Sequence, residues 1–220
     1  MDFIKLFVTI FILTAIFYRF YYPKLRSFHV NLKLVKDGNP EMFLYELGKD
    51  INKAKSDEYK RALLVNKVSG LIFMGKWQEA IELLDTIGSN FNNEVFTVQY
   101  YLNYLSAHIF LERVDIAKEI YSDKKELFER YKAIERYREI NQSIKKIEGI
   151  FSFYNDDLIK SKSIFEELLD KQKYSIYKAI NHYFLGKIFE KEGNLAESKI
   201  HFNKAKLLGE RTFLSKVVSE

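Results

Sequence analysis

A short pattern recurs four times along this chain and constrains its fold more than any other feature. Each copy follows a turn and has an apolar residue, a small residue three positions later and a large residue four positions after that. The small residues lie 37, 44 and 37 residues apart, at Ala80, Ala117, Ser161 and Ser198. A period in this range is typical of stacked helix hairpins, because one hairpin cannot bury its apolar face without a neighbour. The pattern therefore predicts an all-α array of hairpins.

The composition agrees with long helices and excludes one kind of site. The chain of 220 residues contains only 2 Pro and 9 Gly, so helices can run without interruption. Its 19 Phe and 15 Tyr supply large side chains that can fill the space between helices. Because no cysteine is present, disulfide bonds and thiolate metal sites are excluded.

The net charge of +5 is concentrated near the N-terminus. Residues 1–36 contain six basic side chains against Asp2 alone, whereas residues 37–220 contain 29 of each sign. A nucleic-acid-binding domain carries its excess of Lys and Arg over the folded part. The neutral array therefore predicts that nucleic acid is not a partner.

Residues 1–22 are predicted to form a transmembrane anchor, with the membrane bound through residues 3–22. Phe3 to Tyr22 is apolar apart from Lys5 and Arg19, and its 20 residues would span about 30 Å, the thickness of the hydrocarbon core. A cleaved signal peptide and a buried core helix are the two alternatives. An interfacial aromatic belt is predicted at the end of the anchor, formed by Phe17, Tyr18, Phe20, Tyr21 and Tyr22.

Basic residues near the two ends of the predicted anchor give its orientation. The uncharged run extends from Leu6 to Tyr18, and Lys5 is the only basic residue that precedes it. The positive side of a membrane protein is normally cytoplasmic. The sequence thus predicts a single-pass membrane protein with a cytoplasmic C-terminal domain. The basic residues that follow the run are Arg19, Lys24, Arg26, Lys33 and Lys36.

The last copy of the pattern, over about residues 179–209, resembles a tetratricopeptide repeat, a helix–turn–helix unit of about 34 residues. Leu185-Gly186 stands where the family has Leu-Gly in its first helix, and Phe189 fills the large position one turn later. Gly193 occupies the turn. The small, large and small positions of the second helix are filled by Ser198, Phe202 and Ala205.

Three earlier copies keep parts of the tetratricopeptide pattern. In the copies over 61–90 and 98–125, Val68 and Leu105 replace the glycine of the first helix, which returns as Gly149 in the third. The longer interval of 44 residues is interpreted as extended helix inserted over residues 123–137. A degenerate hairpin is predicted before these copies, although residues 28–34 alternate like a strand.

These observations predict three segments. Residues 1–22 form the transmembrane anchor, residues 23–56 a basic juxtamembrane segment and the degenerate first hairpin, and residues 57–220 a tetratricopeptide-like helical repeat domain. The predicted fold is all-α, a helix-hairpin solenoid of about four repeats preceded by one transmembrane helix. An unrelated all-helical bundle is the alternative architecture.

The resemblance implies a concave groove, lined by the first helix of each hairpin, that binds a segment of a partner protein. The first two hairpins would contribute an apolar wall and the last two a basic and aromatic one, which favours an amphipathic partner segment with an acidic end. Carried over by position, the groove residues are Val65, Phe73, Leu102, Phe110, Lys146, Tyr154, Tyr183, Lys187 and Lys191.

No pattern in the chain predicts catalysis, a cofactor or a metal site. The four histidines lack metal-ligand spacing, and His108 and His182 are predicted to be packed side chains. The predicted function is a membrane-anchored adaptor that binds a protein partner in its groove. The alternatives are a structural subunit of a membrane complex, a self-assembling protein, or an envelope or secretion factor with the array outside the cytosol. Residues after Ala205 would cap the array or, if exposed, favour homo-oligomers.

Overall fold

The computed structural model describes residues 2–17 and 22–217. Over these residues the chain is helical, with short turns between helices and one 3-10 turn at Glu135–Tyr137. The helices are α1 Asp2–Ile16, α2 Tyr22–Val35, α3 Pro40–Lys53, α4 Asp57–Phe73, α5 Trp77–Ile87, α6 Glu94–Phe110, α7 Val114–Asp123, α8 Lys125–Lys132, α9 Arg138–Tyr154, α10 Leu158–Lys171, α11 Ser175–Lys191, α12 Leu195–Leu208 and α13 Leu214–Val217.

Within the described residues, ten of these helices form five consecutive hairpins, namely α2/α3, α4/α5, α6/α7, α9/α10 and α11/α12. The helical-repeat architecture predicted from the sequence is therefore confirmed. The first hairpin is helical in both halves, so the strand-like alternation over residues 28–34 is misleading. Val30 and Leu34 are both buried there, four residues apart on one helical face, whereas Phe28 is exposed.

Each hairpin turns at a residue with positive φ, between 57° and 77°. In four of the five turns the next backbone N–H donates to the carbonyl five residues earlier, as Lys76 does to Leu71 at 2.9 Å. The last four turn residues precede the repeated small residues by five positions, whereas Phe43 stands five positions after the first. The turn residues are spaced by 37, 37, 44 and 37 positions; they are Gly38, Gly75, Glu112, Asp156 and Gly193. The sequence period thus reflects one backbone turn made five times.

We expect the substitution Gly193→Ala to lower the free energy of unfolding by about 1 kcal/mol, because Gly193 has φ of 75° and an L residue is strained there. Urea unfolding checks this. Gly48→Ala, inside α3, is the matched control, because an added Cβ meets nothing within 4 Å at either glycine. In the control the helix propensity of alanine should raise stability by about 0.5–1 kcal/mol. Equal effects of the two substitutions would contradict the strained-turn explanation.

The small residues let the two helices of each hairpin approach closely. Ala80, Ala117 and Ser161 are completely buried, and the Ser161 hydroxyl donates to the Gly149 carbonyl at 2.8 Å. In the last hairpin, a Cβ on Gly186 would lie only 2.6 Å from the Phe202 ring. Glycine is therefore required at that position, since a larger residue would force α11 and α12 apart.

The extra residues between the third and fourth hairpins do not extend a helix. α7 ends at Asp123, the short helix α8 follows, and a 3-10 turn leads into α9. The prediction of one continuous inserted helix is therefore wrong. Phe128 and Tyr131 of α8 are buried, and Tyr121 stacks on Phe128 with ring centroids 5.0 Å apart. The insertion is held by this packing as a separate element on α9.

The array is curved so strongly that its last hairpin contacts the first two. In the last hairpin, α11 contacts α2 of the first, and the Tyr177 ring lies 6.2 Å from the Phe73 ring of α4. The chain after α12 also returns to α4, where the Phe213 amide donates to the Phe73 carbonyl at 2.9 Å. Phe213 and Leu214 are buried, so this segment caps the array. The concave side is consequently divided into separate cavities instead of one long channel.

Within residues 2–17 and 22–217, every helix is too short or too polar to traverse a lipid bilayer. The predicted transmembrane anchor over residues 1–22 is therefore wrong, and so is the single-pass membrane localisation with a cytoplasmic C-terminal domain. The helix α1 ends at Ile16, and its 15 residues span only about 22 Å. Its apolar side chains are exposed, as for Phe3 and Phe11. Five residues of the predicted anchor and belt lie outside the described residues, namely Met1, Tyr18, Arg19, Phe20 and Tyr21.

Candidate partner-binding site

The first helices α4, α6, α9 and α11 surround a cavity of about 180 Å³ on the concave side, here called the inner cavity. Each hairpin supplies its first helix to the interior because the second helices stack on the outside. Four of the predicted groove residues line the inner cavity: Phe73, Leu102, Phe110 and Lys146. The apolar wall predicted for the first two hairpins thus encloses a pocket together with the lysine of the fourth.

The polar side chains of α4 and α6 beside the inner cavity are bonded to one another. The Ser69 hydroxyl donates to the Asn103 Oδ1 at 3.1 Å, and the Asn103 amide donates to the Val65 carbonyl at 3.0 Å. On α6 the Ser106 hydroxyl donates to the Leu102 carbonyl at 2.7 Å. The two bonds of Asn103 fix α4 against α6. The Ser69 and Ser106 hydroxyls already donate their protons and have none to donate to a ligand.

Lys146 differs from these groups because it has no hydrogen bond and no carboxylate within 4 Å among the described residues. Its Nζ lies 5.3 Å from the centre of the Tyr177 ring. Burial lowers the pKa of Lys146 to about 8. Burial, followed by the negative charge of Glu139, raises the pKa of the Tyr177 hydroxyl. The inner cavity therefore holds an unpaired cation with a neutral phenol beside it.

A second cavity of about 370 Å³, here called the aromatic recess, lies between the ends of α6, α9 and α11 and the returning C-terminal segment. Ile109 and Phe110 line both cavities and separate them. Trp77 and Phe213 close one side, and their rings lie 5.3 Å apart. The predicted groove residues that meet here are Phe110, Tyr154, Tyr183 and Lys187.

The aromatic recess carries one cation and one anion. The Lys187 Nζ lies 5.3 Å from the centre of the Tyr183 ring and has no ion pair among the described residues. Burial, followed by the charge of Glu112, raises the pKa of Tyr183 to about 12. Burial also raises the pKa of Tyr154, against which the charge of Lys187 acts. Both phenols are thus neutral hydrogen-bond donors near neutral pH, beside a lysine and opposite Glu112 in the turn.

The structure places the remaining two predicted groove residues elsewhere. Val65 is completely buried between helices and lines neither cavity. Lys191 lies at the outer end of α11, where its Nζ donates to Asp156 Oδ1 at 2.6 Å and lies over the Phe153 ring. The groove predicted as one continuous surface is therefore divided into an inner cavity, an aromatic recess, and two positions that belong to neither.

Repeat register alone did not find Tyr177, Trp77 and Phe213. Tyr177 lies six residues before Tyr183, which puts it about 120° around α11 from the predicted groove face. It reaches the cavity because the array closes and gives α11 two inward faces. Phe213 follows the last hairpin, and the only sequence signal for it is the apolar character of residues 213–218.

The histidines lie outside both cavities. His108 is buried, as predicted, and its ring packs edge-on to Tyr104 with centroids 4.9 Å apart. His182 and His201 bring their Nδ1 atoms within 3.0 Å between α11 and α12. Burial, followed by the neighbouring His201, lowers the pKa of His182 to about 4. The pair is therefore neutral at pH 7 and holds two helices together.

Comparison with known proteins adds no family assignment to this geometry. No protein-family model, no curated protein and no solved structure matches the chain.

Proposed function

We propose that this chain is a tetratricopeptide-type adaptor that binds a segment of another protein in the aromatic recess. The observation that carries the proposal is that Phe110, Tyr154, Tyr183 and Lys187, from three successive first helices, meet around one cavity. These positions correspond to the partner-facing ones of the repeat family. Aromatic side chains next to a cation are typical of peptide-binding surfaces in which a few residues contribute most of the binding free energy.

The two charges of the recess suggest the chemistry of the segment. The amine of Lys187 favours an acidic side chain, and Glu112 disfavours one on the opposite side of the recess. The rings of Trp77 and Phe110, which stack with centroids 5.7 Å apart, provide the surface for an apolar anchor. We therefore propose an amphipathic partner segment that carries an acidic residue next to an aromatic or aliphatic one.

The hairpins support the proposed kinship with tetratricopeptide repeats. The repeated turn and the close helix contacts at Gly149 and Gly186 are what the family pattern requires. The period of 37 residues exceeds the usual 34 by about one helical turn. The closed form of the array is a second difference, because it restricts partner access to the recess instead of a long groove.

An array of short peptides, in which acidic and apolar content vary independently, tests the proposal on the full chain. We expect retention of peptides that combine both features, and at least tenfold weaker binding by the Lys187→Glu variant, since the like charge repels the acidic residue. Lys199→Glu is the matched control, because Lys199 is exposed on α12 and makes the same charge change outside the recess. The proposal would be refuted if peptides were retained irrespective of their acidic content, or if Lys187→Glu and Lys199→Glu bound them equally well.

A further inference from the structure

Lys146 is a half-buried cation to which the fold gives no counter-ion among the described residues. Its neighbour in sequence, Lys145, forms an ion pair with Glu167 on the other side of α9. Among the described residues no carboxylate lies within 4 Å of Lys146, and the Tyr177 ring is its nearest favourable electrostatic contact. An unpaired ammonium group in a partly dry cavity is unfavourable unless an anion joins it.

The charged group that shares the cavity with Lys146 is Glu139, seven residues earlier on α9. Seven residues correspond to two turns, or about 10 Å along the helix axis. Glu139 is exposed, and among the described residues it makes no ion pair with Lys146. The half of the cavity around Lys146 consequently has a net positive charge and the half around Glu139 a negative one.

The wall around Lys146 contains polar residues from α4, α6 and α9, and its apolar part comes from four helices. Its members include Phe73, Leu102, Phe110, Ile147, Ile150 and Ile180. A cavity of about 150 Å³ accommodates one benzene ring, so the 180 Å³ present here admits one ring or a short aliphatic chain with a single polar group. One lysine balances the single charge of a carboxylate, whereas a doubly charged phosphate would leave a net negative charge among apolar side chains.

We propose that the inner cavity is a binding site for a small apolar carboxylic acid, whose carboxylate accepts hydrogen bonds from Lys146 Nζ and whose ring or chain contacts Phe73, Leu102 and Ile150. The Tyr177 hydroxyl, which has no partner among the described residues, is a second donor beside the amine. This site is separate from the aromatic recess and does not depend on the protein partner proposed for it.

A neighbouring cavity of about 330 Å³ provides the route of entry. It is bordered by Asn31 and Leu32 of α2 and by Phe28, which is 55% exposed. A ligand would therefore enter between α2 and α11, the contact that closes the array. The residues that line both this cavity and the inner one are Ser69, Gln99, Glu139 and Tyr177.

Isothermal titration of the full chain with benzoate and with hexanoate tests the site. Benzamide, a neutral molecule of the same shape as benzoate, is the ligand control. We expect both carboxylates to bind at least tenfold more tightly than benzamide at pH 7. Affinity should fall as the pH rises through 8, because Lys146 loses its proton there. Affinity for the carboxylates that does not exceed that for benzamide would overturn the proposal.

Two lysine variants locate the binding. Lys146→Met should abolish carboxylate binding while the circular-dichroism spectrum is unchanged, and Lys146→Gln should do the same with a polar side chain. Lys199→Met, which removes an exposed lysine of α12 that lines neither cavity, should bind benzoate as the unchanged chain does. Loss of binding in Lys187→Met with retention in Lys146→Met would place the carboxylate in the recess and refute the inner site. Because no peptide enters this experiment, its outcome is independent of the partner assignment.

Discussion

The variant Lys146→Met should be more stable than the unchanged chain, by about 1–3 kcal/mol in free energy of unfolding at pH 7. Methionine fills nearly the same volume, and it removes an ammonium group that is half-buried and has no counter-ion among the described residues. Urea unfolding followed by circular dichroism measures the difference. A residue whose removal stabilises the fold is typical of a functional position, so this gain is expected together with the loss of carboxylate binding.

The pH dependence of stability provides a second signature of Lys146. Its pKa is about 8 in the folded chain and near 10.5 when unfolded. Between these values Lys146 binds a proton more fully in the unfolded chain than in the folded one, so its contribution to stability rises with pH across this range. Neither Glu139 nor Tyr177, the other titratable groups of the cavity, accounts for the lowered pKa of Lys146, which has burial as its cause.

Between pH 8 and pH 10 the free energy of unfolding should change less favourably in Lys146→Met than in the unchanged chain and in Lys187→Met. The comparison between variants isolates Lys146, because the tyrosines whose pKa is raised, such as Tyr154, Tyr177 and Tyr183, lower stability over the same interval in all three proteins. A Lys146→Met variant that is less stable than the unchanged chain at pH 7, or that shows the same change with pH, would show that the amine is solvated in the folded protein.

The substitution Phe213→Ala should lower the free energy of unfolding by about 3 kcal/mol. Phe213 is only 5% exposed, and its ring lies 4.8 Å from Phe110 and 5.3 Å from Trp77. Removing the ring leaves a void between the last hairpin and α4, where the backbone bond from Phe213 to Phe73 is also made. Chemical denaturation gives the size of the loss.

Leu207→Ala is the matched control for the C-terminal region. Leu207 is 74% exposed on α12, so its removal should change stability by less than about 0.5 kcal/mol. Hydrogen exchange adds a local readout, since the last turn of α4 and the segment around Phe213 should exchange faster together in Phe213→Ala. A loss no larger than that in Leu207→Ala would mean that the C-terminal segment does not hold the array closed.

The hairpins were predictable because their determinants are local. The small residues at Ala80 and Ala117, and the turns that precede them, lie within one hairpin and its neighbour, so a fixed period in the sequence reports them directly. Even Glu112, a residue that seldom has positive φ, could be placed in a turn, because it lies 37 residues after Gly75. The position in the repeat predicts the turn better than the residue type does, because the surrounding contacts hold the backbone in the same positive-φ conformation.

The prediction at residues 1–22 failed for a reason of length. Apolar composition was sufficient for a membrane span, but composition does not determine where a helix ends. The helix α1 ends at Ile16, six residues before the predicted anchor does. A span requires a single helix of about 20 residues, whereas α1 has 15.

Taken by itself, the sequence determined the helix hairpins, their spacing and the turns between them. Only the tertiary structure decided that the concave side is closed. Closure depends on the angle between successive hairpins, which accumulates over five units, and on contacts such as Phe213 with Phe73 between residues far apart in the chain. No local sequence pattern encodes the accumulated angle between hairpins. Closure of the array divides the groove positions between two cavities, buries Val65 and leaves Lys146 without a counter-ion among the described residues.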